Sequence, residues 1–184
     1  MSRTTYIIIG ILVVLVGWVW TGYNGLVSGK AAVEGAWANV ETSYQRRLDL
    51  VPNLVNTVKG AANFEQETLT AITEARMQWQ SAGSRDAKIA AASGFDSALS
   101  RLLVTVEAYP QLQATQAFRD LMTQLEGTEN RITVARRDYN DAVQRYNVLT
   151  MRFPRNILAS FFGFAPEKLF QSDAGADKAP SVTF

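Results

Sequence analysis

The sequence predicts an all-α protein in which an N-terminal transmembrane helix is continuous with an antiparallel bundle of about four long helices. Three observations predict this fold class: an uncharged apolar segment near the N-terminus, apolar residues that recur at helical spacing, and only five prolines in 184 residues. The predicted organisation is a transmembrane anchor over residues 1–28, a helical bundle over residues 29–170 and a disordered C-terminal tail over residues 171–184.

The composition excludes several classes of chemistry. Cysteine and histidine are absent, so the chain alone builds no Ser-His-Asp triad, no thiolate centre, no disulfide and no histidine-ligated metal site. Lysine and arginine number 18 against 17 aspartates and glutamates, and this balance creates no field that attracts nucleic acid. We therefore expect no catalysis, no cofactor and no nucleic-acid partner.

The N-terminal segment carries no charged residue from Tyr6 to Gly29. A helix needs about 20 residues to cross the hydrocarbon layer, and Tyr6–Val27 meets that length. Aromatic rings that favour the headgroup region mark both ends. These rings belong to Tyr6 at one end and to Trp18, Trp20 and Tyr23 at the other. We predict a retained single-pass anchor, and a cleaved signal peptide is the alternative.

Basic residues flank both ends of this segment. Arg3 precedes it, and Lys30, Arg46 and Arg47 follow it. Counting the basic residues within about 20 positions only mildly favours a cytoplasmic body, so the side on which the body lies stays undecided.

The apolar spacing after the anchor predicts four long helices. The first continues from the anchor, and the second restarts at Asp49, read as an N-cap with Pro52 in the first turn. Ala82–Ser84 separates the second helix from a third that ends at Tyr109–Pro110. The fourth, from Phe118 to Phe153, keeps steps of three and four over several heptads, which is typical of a bundle or coiled-coil seam.

A basic turn between the first two predicted helices is the candidate site. Two guanidiniums, a carboxylate and an amide lie close together there, and they predict either an interhelical latch or a site for an anion or lipid headgroup. The candidate residues in this turn are Arg46, Arg47, Asp49, Asn53 and Lys59.

Three further polar features accompany that turn. Glu65 lies on the apolar row of the second helix, where a carboxylate needs a cationic partner, and the fourth helix offers Arg131, Arg136 and Arg137. Glu126 and Glu129 are one turn apart, which favours solvated or capping carboxylates over a metal site. The repeated pair Tyr-Asn predicts tyrosines in the core and asparagines that fix the register between helices. It occurs at 139–140 and 146–147.

Several strings along the chain are specific enough to carry a family resemblance. They are YN at 23–24, LV at 26–27, AW at 36–37, RRxDLVPNLV at 46–55, VKG at 58–60, AR at 75–76, YPxL at 109–112, Phe118, LEGTENRI at 125–132, RRxYN at 136–140, YN at 146–147, FP at 153–154 and FGF at 162–164.

These strings resemble the LemA family of bacterial membrane proteins over nearly the whole chain except the tail. The resemblance implies an N-terminal transmembrane helix, a bundle of long helices and no established enzymatic activity. We expect the anchor to lie in the cell (inner) membrane. Phe64 stands where a histidine is expected before Glu65, and Thr115 stands where an asparagine is often found after Ala114.

Two functional hypotheses follow. The first is a membrane-anchored scaffold that forms a homo-oligomer or docks a membrane protein partner, in contact with the lipid bilayer. Its candidate contact surfaces are Trp79, the apolar patch Ile157–Phe164 and the small residues of the anchor. The alternative is a sensor or binding module for an anionic lipid headgroup or small anionic ligand through Arg46, Arg47 and Lys59.

Overall fold

The computed structural model describes residues 3–60 and 65–170, and in these ranges it contains six α-helices and no strand. The all-α fold class is therefore confirmed. The predicted disordered tail, 171–184, and Phe64 lie outside the described residues. The helices are α1 Arg3–Lys59, α2 Gln66–Ser81, α3 Arg85–Val106, α4 Pro110–Gln113, α5 Gln116–Met151 and α6 Arg155–Phe162.

The chain divides into two compact units, each described by itself. The first unit holds residues 3–40 and 135–169, and the second holds residues 41–60, 65–134 and Phe170.

In the first unit, α1 and the C-terminal half of α5 pack antiparallel. Trp37 meets Tyr139 edge to face with ring centroids 5.4 Å apart, while Gly29 lies against Tyr146 and Leu149. Because these contacts pair falling numbers on α1 with rising numbers on α5, the two helices run in opposite directions. The predicted apolar rows are buried here as far as Tyr146.

The short helix α6 packs on α1 near Gly22 and Leu26, within the same unit. Leu158 and Ala159 form a small core with Leu26, and a Cβ on Gly22 would lie 2.5 Å from Leu158, so glycine permits this close approach. Gly163 ends α6 in the left-handed conformation at φ 75°, which favours glycine.

In the second unit, α2 and α3 form an antiparallel pair joined by 82–84, where Ser84 caps α3 by accepting the backbone N–H of Ala87. Thr115 similarly accepts the N–H of Phe118 at 3.3 Å. Threonine therefore serves as the N-cap of α5 at the position where the resemblance leads us to expect asparagine. The core uses one face of each helix. Its members include Leu54, Val58, Leu69, Ile72, Phe95, Leu99, Leu102, Leu121, Leu125 and Ile132.

The predicted restart of the chain at Asp49 is wrong, since α1 continues without a break to Lys59 with Pro52 inside it. Proline has no N–H, so the carbonyl of Leu48 loses its usual donor in the next turn. Arg76 of α2 replaces that donor, because its Nε–H donates to the Leu48 carbonyl oxygen at 3.2 Å. The tertiary contact thus compensates for the proline.

This compensation predicts a thermodynamic coupling between Pro52 and Arg76. We expect Arg76→Met to lower the free energy of unfolding by about 1–2 kcal/mol, because a carbonyl is left without its donor. In a Pro52→Ala background the amide of residue 52 bonds to Leu48, so Arg76→Met should cost almost nothing there. Denaturant titrations of the unmodified protein, the two single variants and the double variant give this double-mutant cycle. Equal costs of Arg76→Met in both backgrounds would contradict the coupling.

Candidate functional site

A cluster of charges inside the second unit joins three helices through Arg47. This side chain is buried at 8% exposure, and its guanidinium binds Asp96 of α3 at 3.1 Å and Glu129 of α5 at 2.5 Å. Two carboxylates therefore pair with the two terminal nitrogens of one buried cation, while its Nε has no hydrogen-bond partner.

Tyr44 and its neighbours complete the cluster. The Tyr44 hydroxyl donates to the second carboxylate oxygen of Asp96 at 3.0 Å, and the ring stacks on Trp79 at 4.4 Å. Phe170 stacks on the same tyrosine at 6.3 Å. Trp79 is thus buried in the core at 3% exposure, and its prediction as a contact surface is wrong.

Beside the cluster, Lys88 of α3 pairs with Glu41 of α1. Both side chains are partly exposed, so this ion pair contributes less than the buried one.

Asp96 is the residue that the sequence analysis missed. Its signal was its position on the apolar row of α3, four residues after Ala92 and three before Leu99, both of which are buried. Glu129 was considered only as a solvated or capping carboxylate, or as a metal ligand with Glu126. In the structure both glutamates are exposed, and Glu129 also pairs with Arg47.

The other residues of the predicted basic turn do not converge on Arg47. Arg46, Asn53 and Lys59 are exposed, and Asp49 accepts a hydrogen bond from Gln45 one turn earlier at 2.7 Å. Arg46 and Lys59 are 13 residues apart on one helix, which separates them by about 20 Å along its axis. The structure therefore assembles no single anion site from Arg46, Arg47 and Lys59.

The expected partnership of Glu65 is also wrong. Glu65 is exposed just before α2 and accepts a hydrogen bond from Thr68 at 3.2 Å. Arg131 is exposed on α5, and Arg137 lies 3.8 Å from its neighbour Asp138. Arg136 is partly buried. The reason is that α1 ends at Lys59 and α2 begins at Gln66. Apolar residues before and after this connection therefore need not lie on one face.

In the first unit, the two tyrosines predicted to lie in the core are buried. The Tyr139 hydroxyl donates to the backbone oxygen of Lys168 at 2.8 Å. Asn147 pairs with the backbone N–H and C=O of Glu167, both at 2.8 Å, so this asparagine holds the segment after α6 rather than another helix.

Tyr146 is different, because its hydroxyl is buried and has no hydrogen-bond partner. Burial, and secondarily the charge of Glu167, raise the pKa of Tyr146 above its ordinary value. Both effects disfavour the phenolate form.

The first half of α1 is a surface of a different kind. Its most apolar window has a mean hydropathy of 2.0 and is only 6% buried, and side chains such as Ile7, Val13 and Trp20 are more than 60% exposed. It is long and apolar enough to cross a membrane. α3 is also long and apolar enough to cross a membrane, with a mean hydropathy of 1.3 in its most apolar stretch. A third of that stretch, however, is buried inside the protein.

The described residues contain no group of three or more aspartates or glutamates arranged to hold a metal ion. Arg47, Asp96 and Glu129 pair with one another, and the first half of α1 exposes an apolar surface. These features are those of a membrane-associated helical protein.

The chain belongs to the LemA family, whose model matches residues 36–184. It is similar to magnetosome protein MamQ 2 of Paramagnetospirillum magneticum, with 29% identity over 187 residues that cover 88% of this chain and 68% of the relative. Magnetosome protein MamQ of Magnetospirillum gryphiswaldense is 27% identical over the same shares of both chains. Protein LemA of Metamycoplasma hominis is 24% identical over 150 residues, covering 81% of this chain and 68% of the relative.

The geometry around Arg47 predicts a large difference between two adjacent arginines. We expect Arg47→Met to lower the free energy of unfolding by about 2–4 kcal/mol, because Asp96 loses its cation; the half-exposed Glu129 keeps the cost below that of a fully buried pair. Arg46→Met, the matched control on the exposed face, should change it by about 0.5 kcal/mol or less. Denaturant titration of the full chain in detergent, followed by circular dichroism, measures both. Equal losses of stability in the two variants would contradict the role of Arg47 as an interhelical latch.

The raised pKa of Tyr146 predicts a loss of stability at high pH. The folded state holds the phenolic proton more tightly than the unfolded state, so this contribution is intact below about pH 10 and is lost as pH rises further. We expect Tyr146→Phe to keep full stability at pH 7 and to reduce the alkaline loss, measured as Tm against pH.

The control for this experiment is Tyr139→Phe. It removes the hydrogen bond to Lys168 and should cost about 1 kcal/mol at pH 7, while it keeps the alkaline loss that Tyr146 causes. An unchanged alkaline loss in Tyr146→Phe would refute the assignment.

Proposed function

We propose that this protein is a membrane-anchored, non-catalytic scaffold that self-assembles or docks a membrane protein partner in the bacterial inner membrane. The observation that carries the proposal is the change of surroundings along α1. Its side chains are exposed over Tyr6–Val16, and the same helix packs into a core from Leu26 onward. An exposed apolar helix of this length is stable in a bilayer and not in water.

The anchor also offers a surface for self-association. Gly10 and Gly17 are seven residues apart and therefore lie on one face of α1, and nothing lies within 4 Å of a Cβ built on either. Small residues on one face let membrane helices approach closely, since van der Waals packing drives their association in lipid. A second copy of the anchor fits this face.

The absence of cysteine and histidine from the sequence supports a non-catalytic role, because the thiol nucleophile and the general base that enzymes use most often are missing. The names of the relatives, LemA and magnetosome protein MamQ, name no enzyme. The carboxylates of Asp96 and Glu129 pair with Arg47, so they support a structural role and not acid–base chemistry.

Disulfide cross-linking in native membranes tests the proposal, because the chain has no cysteine of its own. We expect Gly10→Cys and Gly17→Cys to give dimers on mild oxidation. Leu12→Cys is the control, since it lies about 200° around the helix from Gly10 and should cross-link poorly. The size of the assembly, measured after gentle solubilisation from the membrane, complements the cross-linking. A strictly monomeric chain with no co-purifying protein would contradict the scaffold proposal.

A further inference from the structure

The short helix α6 packs against α1. Leu158 and Ala159 pack on Leu26, and Leu158 lies over Gly22. Tyr23 meets Phe162 edge to face at 4.9 Å. One face of α6 is therefore fixed to the stretch of α1 from Trp18 to Leu26.

That stretch is the last part of the apolar segment Tyr6–Val27. At 1.5 Å per residue, Trp18–Leu26 covers about 12 Å of helix, beyond roughly the first 18 Å of the segment. In a helix that crosses a hydrocarbon layer of about 30 Å, the far end of this stretch, toward Leu26, reaches the boundary between acyl chains and headgroups, where tryptophan and tyrosine collect.

The opposite face of α6 presents large apolar side chains to the outside. On α6, Ile157 and Phe161 are one turn apart and are 56% and 81% exposed, and Phe153, which precedes the helix, is 76% exposed. Asn156 and Ser160 lie beside this row and are also exposed. Phe153 was predicted to end the buried seam of the fourth helix, and its exposure shows that this prediction is wrong.

An apolar groove continues this surface onto α1. It has a volume of about 400 Å³ and is lined by Leu15, Val16, Val19, Trp20, Tyr23 and Phe162. Its lining is apolar and its position is along the spanning segment, which suits a lipid acyl chain.

Two basic residues border the same region. The guanidinium carbon of Arg155 lies 4.0 Å from the position that a Cβ on Gly25 would occupy. Arg152 and Phe153 share a second hollow with Trp18. Arginines at this level reach lipid phosphates while their stems cover apolar surface.

We propose that α6, with Phe153 before it, is an interfacial helix that lies in the headgroup–acyl boundary of the membrane beside the anchor. Phe153, Ile157 and Phe161 enter the acyl region, and Arg152 and Arg155 face the phosphates. The inference rests on the anchor of the proposed function. An amphipathic helix with aromatic residues on one face and basic residues at its edge is typical of this placement.

The surface favours lipid over a second protein for three reasons. It is continuous with the exposed apolar surface of α1, which a bilayer covers in any case, and α6 contacts Tyr23, an aromatic residue near the headgroup end of the apolar segment. The basic residues complement anionic headgroups, which a bilayer supplies all around the helix.

Single-cysteine labelling of the full chain tests this placement, in vesicles of phosphatidylcholine and phosphatidylglycerol that contain lipids spin-labelled near the headgroup. A fluorophore attached at Phe161→Cys should show a blue shift and quenching by the spin label at every protein-to-lipid ratio. The matched control on the same helix, Ser160→Cys, should show a smaller shift. Val13→Cys, on the anchor, should be shielded from water and quenched by lipids spin-labelled deep in the acyl chain.

The outcomes separate the possibilities. Quenching at Val13→Cys with a water-exposed label at Phe161→Cys would overturn the interfacial helix alone. A blue shift at Phe161→Cys that appears only at high protein content and without quenching would overturn it in favour of a protein contact. No quenching at Val13→Cys would overturn the anchor, and the interfacial helix with it.

Discussion

The second unit depends on the burial of one positive charge. A guanidinium that is taken out of water needs anionic partners at hydrogen-bond distance, and Arg47 finds them on two other helices, at Asp96 and Glu129. These contacts form only when α1, α3 and α5 have one axial register, because a slide of one turn moves a side chain by about 5.4 Å. Apolar packing alone tolerates such slides better. The cluster therefore specifies which arrangement of apolar faces is adopted.

The proline inside α1 shows how the same unit tolerates a local defect. A carbonyl without its donor favours a break in the helix, and the sequence pattern around Pro52 is typical of a helix start. Arg76 supplies the donor from the neighbouring helix, so α1 stays continuous through the proline. The energetic reason for the continuous helix lies in a residue 28 positions away from Leu48. Local preference and tertiary contact compete here, and the tertiary contact prevails.

The helices and their buried faces could be predicted because helical period fixes which side chains share a face. Leu26, Val33 and Trp37 on α1 and Tyr139 on α5 are buried as this period requires. Ion-pair partners could not be predicted in the same way, because period fixes direction within one helix and not the rotation between helices. Asp96 was missed for that reason. Glu65 was misplaced because a row of apolar residues was continued through a connection, where helical phase is lost.

The first unit shows what periodicity cannot distinguish. Phe153 continues the four-residue spacing of the buried seam, yet it is exposed, since α5 ends at Met151 and the chain turns at Pro154 before α6 begins. A row of apolar residues therefore has two physical explanations: a protein core or a lipid environment. The surroundings of the row decide between them. Here the exposed row lies beside Trp18 and Tyr23 of an apolar helix, next to basic residues, and this setting matches the chemistry of a membrane boundary more closely than that of a bundle core.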